Sequence, residues 1–292
     1  MMIDQANELR KMVINKNKIE KEINNHYIKI YSVVSGKGGV GKTNFTVNLA
    51  IKLQQAGKRV LILDADIGMS NVDIILGIES KKDLFDFIKG DSTLQDIIVH
   101  GPLGIDMISG GSGLFSMENL NYTKQQQFIE GLSELGEYDI LIIDNGAGIS
   151  KESLTFITFS HEVIIITTPE PTAITDAYRV LKAISTYKLK DKVKVVINQV
   201  RKKSFGEETY NKLLKTSEQF LDIELEKIGY IFDDIRVNKA IMEQNPMVIK
   251  YPNALASRNI KEICNYILGD INYNNSVSSI KQLSNRFIKI FG

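Results

Sequence analysis

Cysteine is almost missing from this sequence. The 292 residues hold one, Cys264, which excludes an intramolecular disulfide and falls far short of the ligand set of a zinc or iron–sulfur site. That usage favours a reducing compartment. Long apolar runs are missing too: none reaches the length that crosses a bilayer, and the opening Met1-Met2-Ile3-Asp4-Gln5 lacks the basic-then-apolar plan of a secretory signal. A charge of one sign is absent, with 36 Lys and Arg against 35 Asp and Glu and a net charge of +1. No global field therefore draws the chain to nucleic acid or lipid, and any such contact has to be local. These absences predict a cytoplasmic protein. The remaining composition, 43% hydrophobic and 24% charged, is ordinary for a globular chain, and the length allows one large α/β domain with a well-buried core, plus tails.

Residues 1–27 are polar and rich in Asn and Lys, and read as a short helix followed by a flexible tether. From Ile28 onward, apolar runs of strand length alternate with helical patterns. Strands are predicted over 28–35, 59–64, 105–109, 138–144, 163–168, 193–198 and 227–232, with helices such as 43–56, 123–135, 171–187 and 253–268. This alternation predicts a doubly wound, mostly parallel sheet. Continuous runs such as Leu141-Ile142-Ile143 and Val163-Ile164-Ile165-Ile166 are those of strands covered on both faces. Gly57 stands where the first helix needs its C-terminal cap. The domain is placed at 28–269, a polar linker at 270–276, and a last helical pattern at 277–292. No internal repeat is visible.

Gly36-Lys37-Gly38-Gly39-Val40-Gly41-Lys42-Thr43 follows the first apolar strand and opens a helix, the context a P-loop requires. Its glycines let backbone N–H groups turn inward around a phosphate chain, helped by the positive end of the helix dipole. Lys42 then reaches the β- and γ-phosphates and the Thr43 hydroxyl holds Mg²⁺; Asn44 follows as a further ATP-binding candidate. Leu61-Ile62-Leu63-Asp64-Ala65-Asp66 ends a strand with carboxylates two positions apart, so both aim the same way, towards the sheet edge where phosphates bind. Leu141-Ile142-Ile143-Asp144 ends another strand in the manner of a Walker B motif, making Asp144 a candidate support for Mg²⁺. Acids at strand ends also serve as helix caps, and that role stays open for each.

Lys37 departs from an ordinary P-loop. A second lysine there marks the deviant Walker A motif, and over residues 28–268 the sequence resembles the MinD/ParA family of ATPases. The resemblance implies an Mg²⁺-dependent ATPase, binding ATP and ADP, that forms a homodimer with ATP. In that dimer Lys37 reaches across to the partner's phosphates and stabilises charge on the leaving phosphoryl group. It also implies that Asp64 supports the hydrated Mg²⁺, that Asp66 positions the attacking water, and that Asp144 assists the cation through a bound water; Lys37, Lys42 and Asp66 are then the catalytic set. For the base it points to Asn198, at the end of Val195-Val196-Ile197, whose amide both donates and accepts, beneath the loop Ile231-Phe232-Asp233-Asp234. Asn198 also has a plainer reading, as a turn residue. Two departures stand out. Asn145-Gly146-Ala147-Gly148 lacks the proline usual in MinD proper, so the γ-phosphate sensor loop is expected to differ, and Phe232 stands where relatives commonly carry proline.

The tails narrow the resemblance. In Asp4-Gln5-Ala6-Asn7-Glu8-Leu9-Arg10, the residues Asp4, Gln5, Ala6, Leu9 and Arg10 match the element that opens the FlhG group (also called FleN or YlxH), MinD-like ATPases controlling flagellar number and placement. In that group the element docks on the signal-recognition-type GTPase FlhF and stimulates its GTP hydrolysis; flagellar switch (C-ring) proteins are further partners in view. Asp66-Ile67-Gly68-Met69-Ser70-Asn71 and Thr168-Pro169-Glu170-Pro171-Thr172-Ala173 agree with the same likeness. On its own, the opening segment is a helix long enough to fill a groove and too short to be stable alone. At the other end Val277, Ile280, Leu283, Phe287, Ile290 and Phe291 recur at steps of three and four, alongside Lys281, Arg286 and Lys289 and no acidic residue. That suits a helix lying in an anionic membrane surface and looks like the membrane-targeting tail of MinD-type proteins; the plainer alternative is a helix packed on its own domain, and both hold if nucleotide controls release. The resemblance thus predicts reversible, peripheral attachment to the inner face of the cell membrane. A ParA-type partition ATPase would need a basic surface for DNA, and both tails count against it. Septum-site MinD is the other alternative, but it lacks the N-terminal extension.

Overall fold

Strand β1 (Lys29–Ser35) is buried along nearly all its length, Tyr31 and Val33 facing one side of the sheet and Ile30 the other. The computed structural model to which it belongs describes residues 28–66, 71–111, 128, 131, 135 and 137–273. The other strands are β2 (Val60–Ala65), β3 (Ile98–His100), β4 (Asp106–Ser109), β5 (Ile140–Ala147), β6 (Glu162–Thr167), β7 (Lys192–Val200) and β8 (Glu224–Phe232). They form an eight-stranded sheet in the order β3-β4-β2-β5-β1-β6-β7-β8. All pairs are parallel except β3 with β4. The helices with described bounds are α1 (Lys42–Gln55), α2 (Val72–Leu76), α3 (Leu84–Lys89), α4 (Lys151–Phe159), α5 (Pro171–Thr186), α6 (Lys203–Phe220), α7 (Ile235–Met242), α8 (Met247–Lys250) and α9 (Leu255–Tyr273).

Alternation along the strands builds a core on each face. Ile62, Ile142 and Ile164 meet Leu49 and Leu53 of α1 and Ile260, Ile263 and Ile267 of α9 on one side. On the other, Leu63 and Ile143 meet Phe156 and Phe159 of α4, and Ile165 and Val195 meet Leu181 and Ile184 of α5. Both neighbours of an isoleucine in these runs are buried, so the strands read as unbroken apolar stretches. The chain leaves β1 for β2 on one side and returns for β6 on the other, so the crevice where order reverses lies at the carboxyl end of β1. Gly57, at φ 86°, donates its N–H to Gln54 O and closes α1 as its sequence position implied.

Several elements differ from the sequence reading; β5, for one, runs three residues past its expected end at 144, to Ala147. Strand β3 is a three-residue antiparallel edge, too short to show a period. Strand β8 starts at Glu224 rather than 227, because Glu224 and Glu226 ion-pair with Lys192 on β7 and hide its alternation behind charge. Helix α9 corrects the linker: residues 270–273 are helical, and Asp270 pairs at 3.0 Å with the buried Lys194, which Glu162 and Glu226 also contact. Burial pushes the Lys194 pKa down, but those carboxylates outweigh it and hold it above the usual lysine range. Phe128 and Gly131 are helical, within the helix expected over 123–135. The opening element at 4–10 and the stripe at 277–292 lie outside the described residues. Among the described residues, no helix is long and apolar enough to cross a membrane.

Candidate nucleotide site

Residues 36–41 leave β1 as a glycine loop and enter α1 through Gly41, its N-cap at φ 88° and ψ 23°, with no side chain capping the first turn. Gly39 shares the positive φ, at 78°, a region glycine enters without steric cost. Gly36 is needed for close approach: a Cβ there would lie 2.1 Å from the backbone carbon of Asp176, so α5 presses directly on the loop. A Cβ on Gly38 or Gly39 would meet nothing within 4 Å, which leaves that rim open. Such a loop, joined to an uncapped helix N-terminus, is a cradle for a phosphate chain.

Lys42 is 6% exposed, and its Nζ stands 3.1 Å from Asp144 Oδ1 as an ion pair without an aligned hydrogen bond. Asp144 is fully buried; Oδ1 accepts from Thr46 Oγ1 at 2.9 Å, while Oδ2 has no hydrogen-bond partner. Asn44 Nδ2 is also buried without one. Strand register sets Asp64 beside Asp144. Asp64 Oδ1 accepts from the Asp66 N–H at 3.1 Å, and Oδ2 from the N–H groups of Asn71 and Val72 at 3.0 and 3.1 Å. Asp64 therefore does cap a helix start, that of α2, and in doing so fixes the turn carrying Asp66. Burial raises the Asp66 pKa, the Lys42 charge works against this, and Asp64 adds to it. A Cβ on Gly146 would fall 3.3 Å from Asp66 Oδ1, so that glycine gives the carboxylate its room.

The donors Lys42 and Asn44 suit phosphate oxygens, and the acceptor Asp144 Oδ2 suits the water shell of a divalent cation. Buried polar groups without partners cost ~1–3 kcal/mol each, so a nucleotide that engages them is stabilised in return. Among the described residues no cluster of three His, Cys, Asp or Glu could hold a metal by protein groups alone. Mg²⁺ commonly binds through phosphates, waters and one or two protein oxygens, and the half-buried Thr43 hydroxyl at the second position of α1 fits that pattern.

Residues 26–268 match a family model described as ParA, NUBPL iron-transfer P-loop NTPase. The chain belongs to the ParA/MinD family of P-loop NTPases. It is 36% identical to the antiactivator FleN of Pseudomonas aeruginosa over 239 residues, covering 82% of this chain and 85% of that one. It is 33% identical to the flagellum site-determining protein YlxH of Helicobacter pylori, covering 92% of each. Among solved structures, a chain of the MinC:MinD cell division protein complex of Aquifex aeolicus superimposes with TM-score 0.68 at 26% identity, covering 82% of this chain and 96% of that one. MinD of Pyrococcus horikoshii, complexed with Mg-ADP, gives 0.67 at 22%, covering 86% and 100%, a likeness of fold.

The residue that marks this family's P-loop, Lys37, donates from Nζ to Glu170 Oε1 at 2.7 Å and to Thr172 Oγ1 at 3.0 Å, at the start of α5. The Lys37 hydrogen bond, then that of Thr172, holds the Glu170 carboxyl below its ordinary range. Glu170, Thr172 and Thr46 escaped the sequence reading as site residues. Glu170 and Thr172 lie in a stretch noted only for its family likeness, and Thr46 sits one helical turn beyond Thr43, the spacing that puts two side chains on one face. The stretch after Asp144, which continues β5 to Ala147 rather than opening a loop, is also tied down. Asn145 is buried and donates from Nδ2 to Ser32 Oγ at 2.8 Å and Val33 O at 2.9 Å, while the Gly148 N–H donates to Ser35 O at 2.8 Å.

Beside the cradle, a cavity of about 360 Å³ is bordered by Gly41, Asn44, Asn198, Phe232 and Asp233, so the base-site candidates do converge. Asn198 is not wholly free to read a base. Its Nδ2 donates to Val40 O at 2.8 Å and its Oδ1 accepts from the Gln199 N–H at 2.8 Å.

Proposed function

We propose that this chain is an Mg²⁺-dependent ATPase whose ATP-bound dimer regulates flagellar number and placement. The observation that carries the reading is the set of buried atoms without hydrogen-bond partners, Lys42 Nζ, Asn44 Nδ2 and Asp144 Oδ2, gathered around a glycine cradle. Lys42 would neutralise phosphate charge, and Thr43, with Asp64 and Asp144 acting through water, would hold the cation. Bound Mg²⁺ supplies charge neutralisation between the phosphates. Asp66, partly buried and with a raised pKa, orients the attacking water. Lys37 leaves Glu170 and Thr172 to stabilise the leaving phosphoryl group of the partner subunit. Support for the flagellar role comes from likeness to an antiactivator, FleN, and to a flagellum site-determining protein, YlxH. The element at 4–10 engages an FlhF-type GTPase, the stripe at 277–292 lies on an anionic inner membrane surface, and flagellar switch proteins receive the signal.

Phosphate release from ATP should require Mg²⁺ and vanish in Lys42→Ala, and cells carrying that variant should show altered flagellar number. Equal hydrolysis by the variant would overturn the enzymatic reading. A peptide of residues 1–23 should raise GTP hydrolysis by FlhF; a peptide with Gln5 and Leu9 changed to Ala that stimulates equally would refute the docking role of those side chains.

A further inference from the structure

We propose that Gln199 is a positioning residue that presets the phosphate cradle, an inference resting on the nucleotide-binding reading above. Between Ile197 and Val200, β7 advances three residues while its partner β8 advances two, from Tyr230 to Phe232. The extra residue makes a bulge, and Gln199 sits in it with φ at +55°, a left-handed conformation unusual for a residue with a side chain. In a regular strand Asn198 and Gln199 would point to opposite faces. Here both reach the P-loop: Asn198 Nδ2 donates to Val40 O at 2.8 Å and Gln199 Nε2 to Gly39 O at 3.2 Å. The bulge is what allows two consecutive side chains to grip two consecutive carbonyls.

Among the described residues no peptide bond is cis, and in a trans peptide the C=O and the following N–H point in opposite directions. Holding the Gly39 carbonyl against β7 therefore turns the Val40 N–H away from it. Holding the Val40 carbonyl does the same for the Gly41 N–H. Gly39 at φ 78° and Gly41 at φ 88° are the residues that have to flip for this arrangement. Asn198 and Gln199 thus orient adjacent N–H donors of the anion cradle before any phosphate arrives, and that is pre-organisation. A strained backbone conformation retained at such a point is characteristic of a functional constraint. Asn198 also touches Gly41 closely, since a Cβ there would lie 2.4 Å from its Nδ2. Gln199 contacts only the loop's backbone in this role, and its effect on phosphate is indirect.

The test compares wild type with Gln199→Gly, which loses the donor and relieves the positive φ, and Gln199→Met, which keeps the length without the donor. Affinities for ADP and for inorganic pyrophosphate are measured by calorimetry, and the apo melting temperature of each protein is recorded. Loss of one neutral hydrogen bond should weaken both ligands by the same factor, about 3- to 10-fold, in both variants, with apo melting little changed. Unchanged pyrophosphate affinity in the folded glycine variant, or wild-type affinity in the methionine variant, overturns the proposal. A wild type that binds neither ligand overturns the nucleotide reading itself and this inference with it.

Discussion

Asp144→Asn separates the structural and chemical roles of the buried ion pair. Asparagine keeps an oxygen for Thr46 but removes the charge facing Lys42, which is 6% exposed and 3.1 Å away. Removing one partner of a buried pair costs ~3–5 kcal/mol, because the other charge stays buried without compensation. For a domain of this size each kcal/mol moves the melting point by ~2–4 °C, so the apo variant should melt about 6–20 °C below wild type. ADP carries the negative charge that Lys42 has lost, so saturating ADP in the presence of EDTA should narrow that gap. Thermal unfolding followed by circular dichroism, with and without ADP, measures both quantities. Glu208→Gln is the control: it removes an exposed pair with Lys212 at 60% exposure on each side, worth ~0–1 kcal/mol. An apo gap no larger than the control's, or one that ADP leaves unchanged, would refute the claim that Lys42 awaits an anion.

Asp66→Asn should stabilise the apo protein. An acid whose folded pKa is raised contributes stability while protonated and loses it as pH rises through that pKa, so asparagine gains at pH 7 and the gain fades as pH falls through the raised pKa, to be gone below about pH 4. Urea unfolding at both pH values checks this, and a variant less stable at pH 7 contradicts it. Asp234 accepts from Arg236 and from the Leu255 N–H, and its pKa is held at about 2. Asp234→Ala should cost ~1–2 kcal/mol at pH 7. A lowered acid pKa adds stability above the ordinary carboxylate value and loses it as pH falls through the folded one, so the gap should close between about pH 4 and pH 2; a pH-independent gap would rule out the ionised cap. Liposomes with anionic lipid should sediment the full chain mainly with ATP. Two tails per dimer strengthen attachment by ~10²–10⁴-fold over one. A chain ending at Tyr273, which keeps the Asp270–Lys194 pair, should stay soluble; if it pellets like the full chain, the tail is not the anchor.

What the sequence made legible was contiguous. The glycines, Lys42 and the acids at strand ends are local patterns, and the sheet brings them to one crevice because they sit near or just beyond the carboxyl ends of parallel strands. What it concealed was pairing across distance. Thr46 with Asp144, Lys37 with Glu170 and Gln199 with Gly39 join residues 98, 133 and 160 positions apart, and neither periodicity nor spacing encodes such contacts. Asp64 carried two readings, cap and cation support, and the structure realises the first without displacing the second. The linker at 270 was misjudged because Asp270 looks like solvent-facing polar sequence, whereas a buried lysine reaches it from the sheet.

The central claim is that ATP, and not ADP, joins two copies of this chain. Light scattering of Asp66→Ala, which should bind ATP yet hydrolyse it poorly, tests this most directly. With ATP and Mg²⁺ the account predicts twice the monomer mass, and with ADP the monomer mass; in a separate turnover assay Lys37→Ala alone should hydrolyse ATP at least ~10²-fold more slowly than wild type, the scale of a lost charge-stabilising donor. A monomer in ATP, with ATP binding confirmed in the same sample, would contradict it.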